Sequence, residues 1–274
     1  MIDEDERERL QNLEIHMKDL VVGQEEAIIA IANAMRRSRA GVRSPSRPIG
    51  SFLFLGPTGV GKTETAKTLA KVYFGNESAM SRLDMSEYQG EDGLWRLIGT
   101  NSEAGALTIM LKTQPYGVFL LDEFEKANPK VLDIFLQLLD EGVVHNADGK
   151  KINGRNSIFI ATSNAGAVEI REAMKGGVNL EDAKKGIIDT IISSGNMRPE
   201  LINRFDGIIL FHPLLPDDYR KIATLMLNKL KKRMYEKNID LVVNDTLVEA
   251  VMTHGVDPDF GARPMARAIQ DTIE

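Results

Sequence analysis

The chain has 274 residues, enough for one large domain or about two. Hydrophobic residues make up 43% and charged residues 27%, proportions of an ordinary soluble globular protein that argue against a disordered, collagen-like or membrane-embedded chain. Cysteine is absent, which excludes a disulfide framework, a thiolate zinc site and thiol catalysis, and the formal net charge of -6 argues against a general nucleic-acid-coating role.

The start, Met1-Ile2-Asp3-Glu4-Asp5-Glu6, is acidic, the opposite of a secretory or mitochondrial leader. Its longest apolar runs, such as Val118 to Leu121, are too short to span a bilayer. The expectation is a cytoplasmic protein with no membrane and no nucleic-acid partner. Residues 1–20 read as a charged helix with Leu10, Leu13, Met17 and Leu20 on one stripe. A second helix is expected from Glu25 to about Arg39, its Arg36-Arg37-Ser38-Arg39 end reading as a solvated terminus favoured by the helix dipole. Gly41 to Pro48 reads as a loop.

Five short apolar runs follow: Ser51–Leu55, Met80–Leu83, Val118–Leu121, Ser157–Ala161 and Ile208–Phe211. Helical patterns lie between them at Lys62–Phe74, Glu103–Lys112, Pro129–Leu139, Val168–Met174 and Leu180–Ile192. Alternation of this kind predicts an α/β fold, a parallel sheet covered on both faces. After Pro213 the pattern turns helical, with Ile222, Leu225, Met226 and Leu230 on one face of a helix over about 217–237 and two helices beyond the short run Ile239–Val243. The expected domains are therefore 1–213 and 214–274. The last residues, Ile273-Glu274, fall inside an uncapped helical pattern, which reads as a piece of something longer.

Gly56-Pro57-Thr58-Gly59-Val60-Gly61-Lys62-Thr63 matches G-x-x-x-x-G-K-[ST] between a predicted strand and a predicted helix. Glycines there let consecutive backbone N–H groups turn in around phosphate oxygens, and the helix N-terminus adds favourable partial charge. Lys62 would neutralise the β- and γ-phosphates of ATP, and the Thr63 hydroxyl would hold Mg²⁺. The run Val118–Leu121 ends in Asp122-Glu123, where an open parallel sheet binds its ligands. Asp122 is the candidate to support Mg²⁺ and Glu123 the candidate to activate water for attack on the γ-phosphate. Asn164, after the strand ending Ala161-Thr162-Ser163, is a candidate to polarise that water, or a turn residue.

These motifs in this order resemble the AAA+ ATPases, and within them the second nucleotide-binding module of Clp-type chaperones and unfoldases, ClpC, ClpA and ClpB. The resemblance covers nearly the whole chain. It is carried by Val22–Ala27, Arg47–Glu64, Leu83–Tyr88, Leu121–Ala127, Arg198–Asp206 and Gly261–Pro264. It implies a P-loop AAA+ sheet followed by a small helical lid, ATP hydrolysis with Mg²⁺, assembly into a homo-hexameric ring, and action on a polypeptide substrate or protein partner. By the same resemblance Val21, Val22 and Gly23 line the adenine side, and Pro57, Thr58, Gly59, Val60 and Gly61 form the phosphate loop. Asn164 is the first sensor and Arg263 the second. Arg204 is the finger reaching a neighbouring subunit's nucleotide, with Arg198 the second candidate. A phosphotransferase with the same loop is disfavoured by Asp122-Glu123 and by the setting of Arg204.

The chain departs from that pattern in two places. The family's Gly-Tyr-Val-Gly-Tyr pore loop is replaced, after Ile98-Gly99, by Thr100-Asn101-Ser102-Glu103-Ala104-Gly105-Ala106. Thr100 to Glu103 reads as a cap for the next helix, and Trp95 as a core residue. The Ile/Val/Leu-Gly-Phe/Leu tripeptide of protease-coupled members is also missing from Met174–Asn179, which counts against docking a ClpP-type protease. Gly142 to Gly154 reads as a hairpin, either solvated or lining the pore. The loss of the pore aromatics leaves a second reading open, a non-threading AAA+ assembly or regulatory switch.

Overall fold

The computed structural model describes residues 4–39, 46–257 and 260–273. Two helices, α1 (Glu4–Lys18) and α2 (Glu25–Arg39), precede β1 (Gly50–Leu55) and α3 (Lys62–Phe74). Next come β2 (Met80–Asp84), α4 (Gly93–Ile98), α5 (Ala106–Thr113), β3 (Gly117–Asp122), α6 (Pro129–Glu141), β4 (Val143–His145), β5 (Lys151–Asn153) and β6 (Ser157–Ser163). The large domain closes with α7 (Ala167–Lys175), α8 (Leu180–Ser193), α9 (Pro199–Ile202) and β7 (Gly207–Leu210). The lid is helical: α10 (Pro216–Tyr235), α11 (Asp245–Gly255) and α12 (Met265–Ile273).

The main sheet is parallel, in the order β2-β3-β6-β1-β7. Side chains alternate between two apolar cores, as a two-residue period requires. Phe52, Phe54, Val118, Leu120, Ile158, Ile160 and Ile209 pack under α1, α2 and α3. Leu53, Leu55, Phe119, Leu121, Phe159, Ala161 and Leu210 pack on the other face, with residues of α4 to α8. Both faces being dry explains why these strands read as unbroken apolar runs. The chain leaves β1 in one direction, towards β2, and leaves β6 in the other, towards β7. Ligands bind at such a reversal, at the carboxyl ends of the strands.

Three local readings are corrected. Trp95 is 52% exposed. The short helix α4 buries Gly93, Leu97 and Ile98, and Trp95 lies off that face. The α5 helix starts at Ala106, with Gly105 as its N-cap, so Thr100 to Glu103 does not cap it. Those residues instead close on themselves: Thr100 N–H donates to the Glu103 carbonyl at 2.7 Å, and Gly99 bridges Ala104. A Cβ on Gly105 would lie 2.3 Å from the Gly99 nitrogen, so this closure needs glycine there. The basic end of α2 is docked on α1, where Arg36 Nε donates to the Leu10 carbonyl and Arg39 pairs with Glu6. The hairpin expected at 142–154 is the antiparallel pair β4–β5, and 239–243 forms neither helix nor strand.

Candidate active site at the carboxyl edge of the sheet

The loop between β1 and α3 departs from the sheet at Gly56 (φ 149°), where a Cβ would lie 2.4 Å from the Phe211 carbonyl oxygen. Gly61 (φ 107°) caps α3 without a side-chain hydrogen bond. The first backbone N–H groups of α3 are thus not taken by a capping side chain, the condition for holding an anion. Lys62 is 9% exposed and curls back over the loop. Its Nζ donates to the Gly56 carbonyl (2.5 Å), the Pro57 carbonyl (3.0 Å) and Asn164 Oδ1 (2.9 Å). All three acceptors are uncharged. Burial, against the opposing pull of Asp122 and Glu125 and with the help of Arg263, brings its pKa from 10.5 down to about 8.

Asp122 and Glu123 are separated from β1 by β6. Asp122 reaches across through that strand, since Thr162 Oγ1 donates to its Oδ1. Its other oxygen pairs with Arg82 of β2 at 2.6 Å. Glu123 sits in the left-handed region (φ 54°, ψ 46°), a conformation that costs a non-glycine residue and concentrates at functional sites. Its carboxylate pairs with Lys126 at 2.6 Å, and that contact raises the Lys126 pKa. Glu125 Oε1 accepts from the Asn164 backbone N–H at 3.4 Å, while its Oε2 is buried without a hydrogen-bond partner. Arg82, Lys126 and Glu125 were not anticipated. Lys126 was readable as an i+3 partner of Glu123, whereas Arg82 meets Asp122 only because β2 pairs with β3.

A cavity of about 720 Å³ lies between this edge and the lid. Val21 and Val22 form one wall, Thr58 to Thr63 the floor, and Ile222, Leu225 and Met226 of α10 face them. Asp122, Glu123, Asn164 and Arg263 all line it. Apolar walls at one side and a phosphate loop with two carboxylates at the other suit a nucleotide. Gly23 and Pro57 are not among the residues that line it. Gly23 (φ 72°) packs on the Asp218 carboxylate, and Pro57 takes part through its carbonyl. Arg204 does not reach this cavity. It pairs with Asp140 (2.9 Å), and Arg198 with Asp133 (2.7 Å), two turns apart on α6. Among the described residues no cluster of three or more His, Asp or Glu could hold a metal by itself. Thr63 and Asp122 fit Mg²⁺ only in its usual nucleotide-bound form, completed by phosphate oxygens and water.

Residues 47–208 match the family described as AAA domain (Cdc48 subfamily), and residues 214–274 match the C-terminal, D2-small domain of ClpB protein. The chain is 44% identical to the ATP-dependent Clp protease ATP-binding subunit ClpC of Staphylococcus epidermidis, over 100% of this chain and 35% of the relative. For the Staphylococcus aureus ClpC the identity is 43%, with the same coverage. The chain thus spans about a third of the length of the curated relatives it matches. Among solved structures, the closed-state Hsp104 complex with ATPyS and FITC casein superposes with a TM-score of 0.86 at 37% identity, covering 99% of this chain and 48% of that one. The Hsp104–ADP complex of S. cerevisiae gives a TM-score of 0.87 at 37% identity, covering 98% and 47%. The chain belongs to the AAA domain family, as a module of the Clp and Hsp104 type with its helical small domain attached.

Proposed function

We propose that this module binds ATP with Mg²⁺ and hydrolyses it, as one motor unit of a ring-forming, protein-remodelling chaperone. The observation that carries the reading is the convergence of Lys62, Thr63, Asp122, Glu123, Asn164 and Arg263 on one cavity closed by a separate lid. Lys62 turns from its uncharged acceptors to the β- and γ-phosphates. Thr63 and Asp122 would hold Mg²⁺, which would supply neutralisation of phosphate charge. Asp122 must first give up Arg82. Glu123, released from Lys126, orients the attacking water and takes its proton, while Asn164 fixes that water from the β6 side. Val21, Val22 and Gly23 shape the adenine side, with Ile222 and Met226 opposite. Arg263 brings the lid onto the γ-phosphate.

Arg204 is half-exposed and outside its own cavity, which suits donation to a neighbour's nucleotide in a hexameric ring. A polypeptide substrate and a cytoplasmic setting complete the reading. The second reading, a non-threading switch that binds a protein partner, is favoured by the closed Thr100–Glu103 turn. It offers no aromatic surface to grip a chain.

The test of the active site is Glu123→Gln. Nucleotide binding should remain within about threefold, while turnover falls roughly 10²–10⁴-fold, the worth of a positioned base. Equal ATPase rates in variant and parent would remove Glu123 from the chemistry.

A further inference from the structure

Gln24 is fully buried, and none of the chemistry above uses it. Its amide makes three hydrogen bonds to backbone far away in sequence. Nε2 donates to the Val60 carbonyl (3.1 Å) and to the His212 carbonyl (2.9 Å), and Oε1 accepts from the His212 N–H (3.3 Å). Val60 is in the phosphate loop. His212 is in the segment between β7 and α10, which carries the lid. Both amide hydrogens and the amide oxygen are therefore committed, one to the loop and two to the linker. The preceding residue makes the same junction: Gly23 packs on Asp218 in the first turn of α10, where a Cβ would lie 2.6 Å from the carboxylate.

The contact to Val60 has a direct consequence for the site. A trans peptide is planar, with its C=O and N–H antiparallel. Holding the Val60 carbonyl on Gln24 turns the Gly61 N–H away from Gln24, and Gly61 lines the cavity. Any rotation of the Val60–Gly61 peptide as phosphate is bound or lost must stretch or release the bond to Gln24. A buried amide left short of a partner is costly, so its bonds to His212 shift with it.

We propose that Gln24 is a positioning residue that couples the phosphate loop to the linker, so that the state of the nucleotide is passed to the lid. The proposal rests on the ATP reading of the site and adds the route by which that site moves the lid. A purely structural role would affect stability alone. A coupling role separates occupancy from lid position, because a ligand moves an equilibrium only through what it contacts differently in the two states.

The cysteine-free sequence allows a clean distance probe. Lys185→Cys on α8 and Lys237→Cys after α10, both exposed, carry spin labels in the 274-residue chain. Separation is measured with saturating ADP, and with saturating ATP in a Glu123→Gln background, alongside binding of a fluorescent ADP. The comparison is repeated with Gln24→Met, of similar length without the polar atoms, and with Gln24→Glu, which keeps the acceptor for His212 but loses both donors. Melting curves report whether each variant folds. The parent should show two separations. Each folded variant should bind nucleotide about tenfold more weakly yet, at saturation, show one separation for both nucleotides. Two unchanged separations in a folded variant overturn the proposal, as does a parent that binds nucleotide without any change in separation. A parent that binds no nucleotide overturns the site reading, and the coupling with it.

Discussion

The floor and the roof of the cavity are built differently. The floor is the carboxyl edge of the sheet, where Thr162 and Ser163 are almost wholly buried and Lys62 is bonded three ways. Each strand there is flanked by two apolar cores. The roof is a small domain around Ala223, Leu227, Val248, Val251, Met265 and Ile269. Among the described residues it meets the floor where the Ala262 N–H donates to the Gly59 carbonyl (3.3 Å), where Lys229 pairs with Glu64, and where Asp218 lies against Gly23. A rigid floor with a lightly attached roof is what a machine needs if chemistry in one part is to move the other.

That contrast predicts unequal effects of removing a cation from each side. Lys62→Ala takes a buried ammonium from the floor, and ATP affinity should fall by about 100-fold, as expected for a charge-assisted contact in a dry site. Arg263→Ala takes an exposed guanidinium from the roof. It should leave ADP affinity nearly unchanged and lower turnover. Isothermal titration with ADP and ATP separates the two. Equal losses of ADP affinity would mean that the roof is as much part of the binding site as the floor.

Gly59 probes the joint itself. It has φ 77°, and a Cβ would lie 1.9 Å from the Phe260 carbonyl oxygen. Gly59→Ala should therefore push the roof away while β1 and α3 stay folded. Nucleotide affinity should drop about tenfold, and amide exchange should accelerate in 245–257 and 260–273 but not in 50–55. Uniformly faster exchange would show that the two parts unfold as one.

A smaller effect comes from pH. In the free chain Lys62 titrates at about 8, below its ordinary 10.5. Phosphate favours its charged form, so binding above that pH must draw in a proton. ADP affinity, measured with a chelator present, should be level below pH 7 and fall about fourfold by pH 8.5, with proton uptake seen by calorimetry in two buffers. The stability of the free chain has the opposite sign. Between pH 8 and 10.5 the unfolded state holds more of this proton, so the Lys62 contribution to stability rises with pH. Release of a proton on ADP binding would mean that another group dominates.

Local signals carried most of the floor. The α3 helix begins and ends where the glycine-lysine motif and the apolar spacing put it, and β1, β3 and β6 are extended by one or two residues beyond their apolar runs. Lys62, Thr63, Asp122 and Glu123 were legible as site residues because each sits in a motif at the end of a strand or the start of a helix, Asn164 carried only a weak local signal, and Arg263 came from the resemblance alone; all six line one cavity. What was not legible depends on distant backbone. The start of α5 depends on Gly105 lying against Gly99 and Leu97. Burial of Trp95 would have needed a longer helix or a different phase. The partners Arg82 and Gln24 act across 40 and up to 188 residues, through sheet order and the course of the linker. Arg204 was legible only by resemblance, and within its own chain it pairs with Asp140 away from the residues that line the cavity.

An exposed joint between floor and roof is the ion pair of Glu64 with Lys229, 3.2 Å apart with both side chains about half exposed. An exposed pair gains little in water, is screened by salt and costs side-chain entropy, so its net worth is about 0.5 kcal/mol. Glu64 lies one residue past Thr63, and Lys229 is on the cavity wall. The pair therefore tests whether charge alone helps hold the roof down. Lys229→Ala should change ADP affinity by no more than about two- to threefold at 0.15 M salt, since about 0.5 kcal/mol is the whole effect available. Lys229→Glu places a like charge opposite Glu64 and should weaken binding slightly more, with the difference vanishing at high salt. The double variant Glu64→Lys with Lys229→Glu should return to the parent value. A loss near tenfold in Lys229→Ala, independent of salt, would mean that this lysine touches the nucleotide itself, and the roof would then hold a binding residue of the same weight as those on the floor.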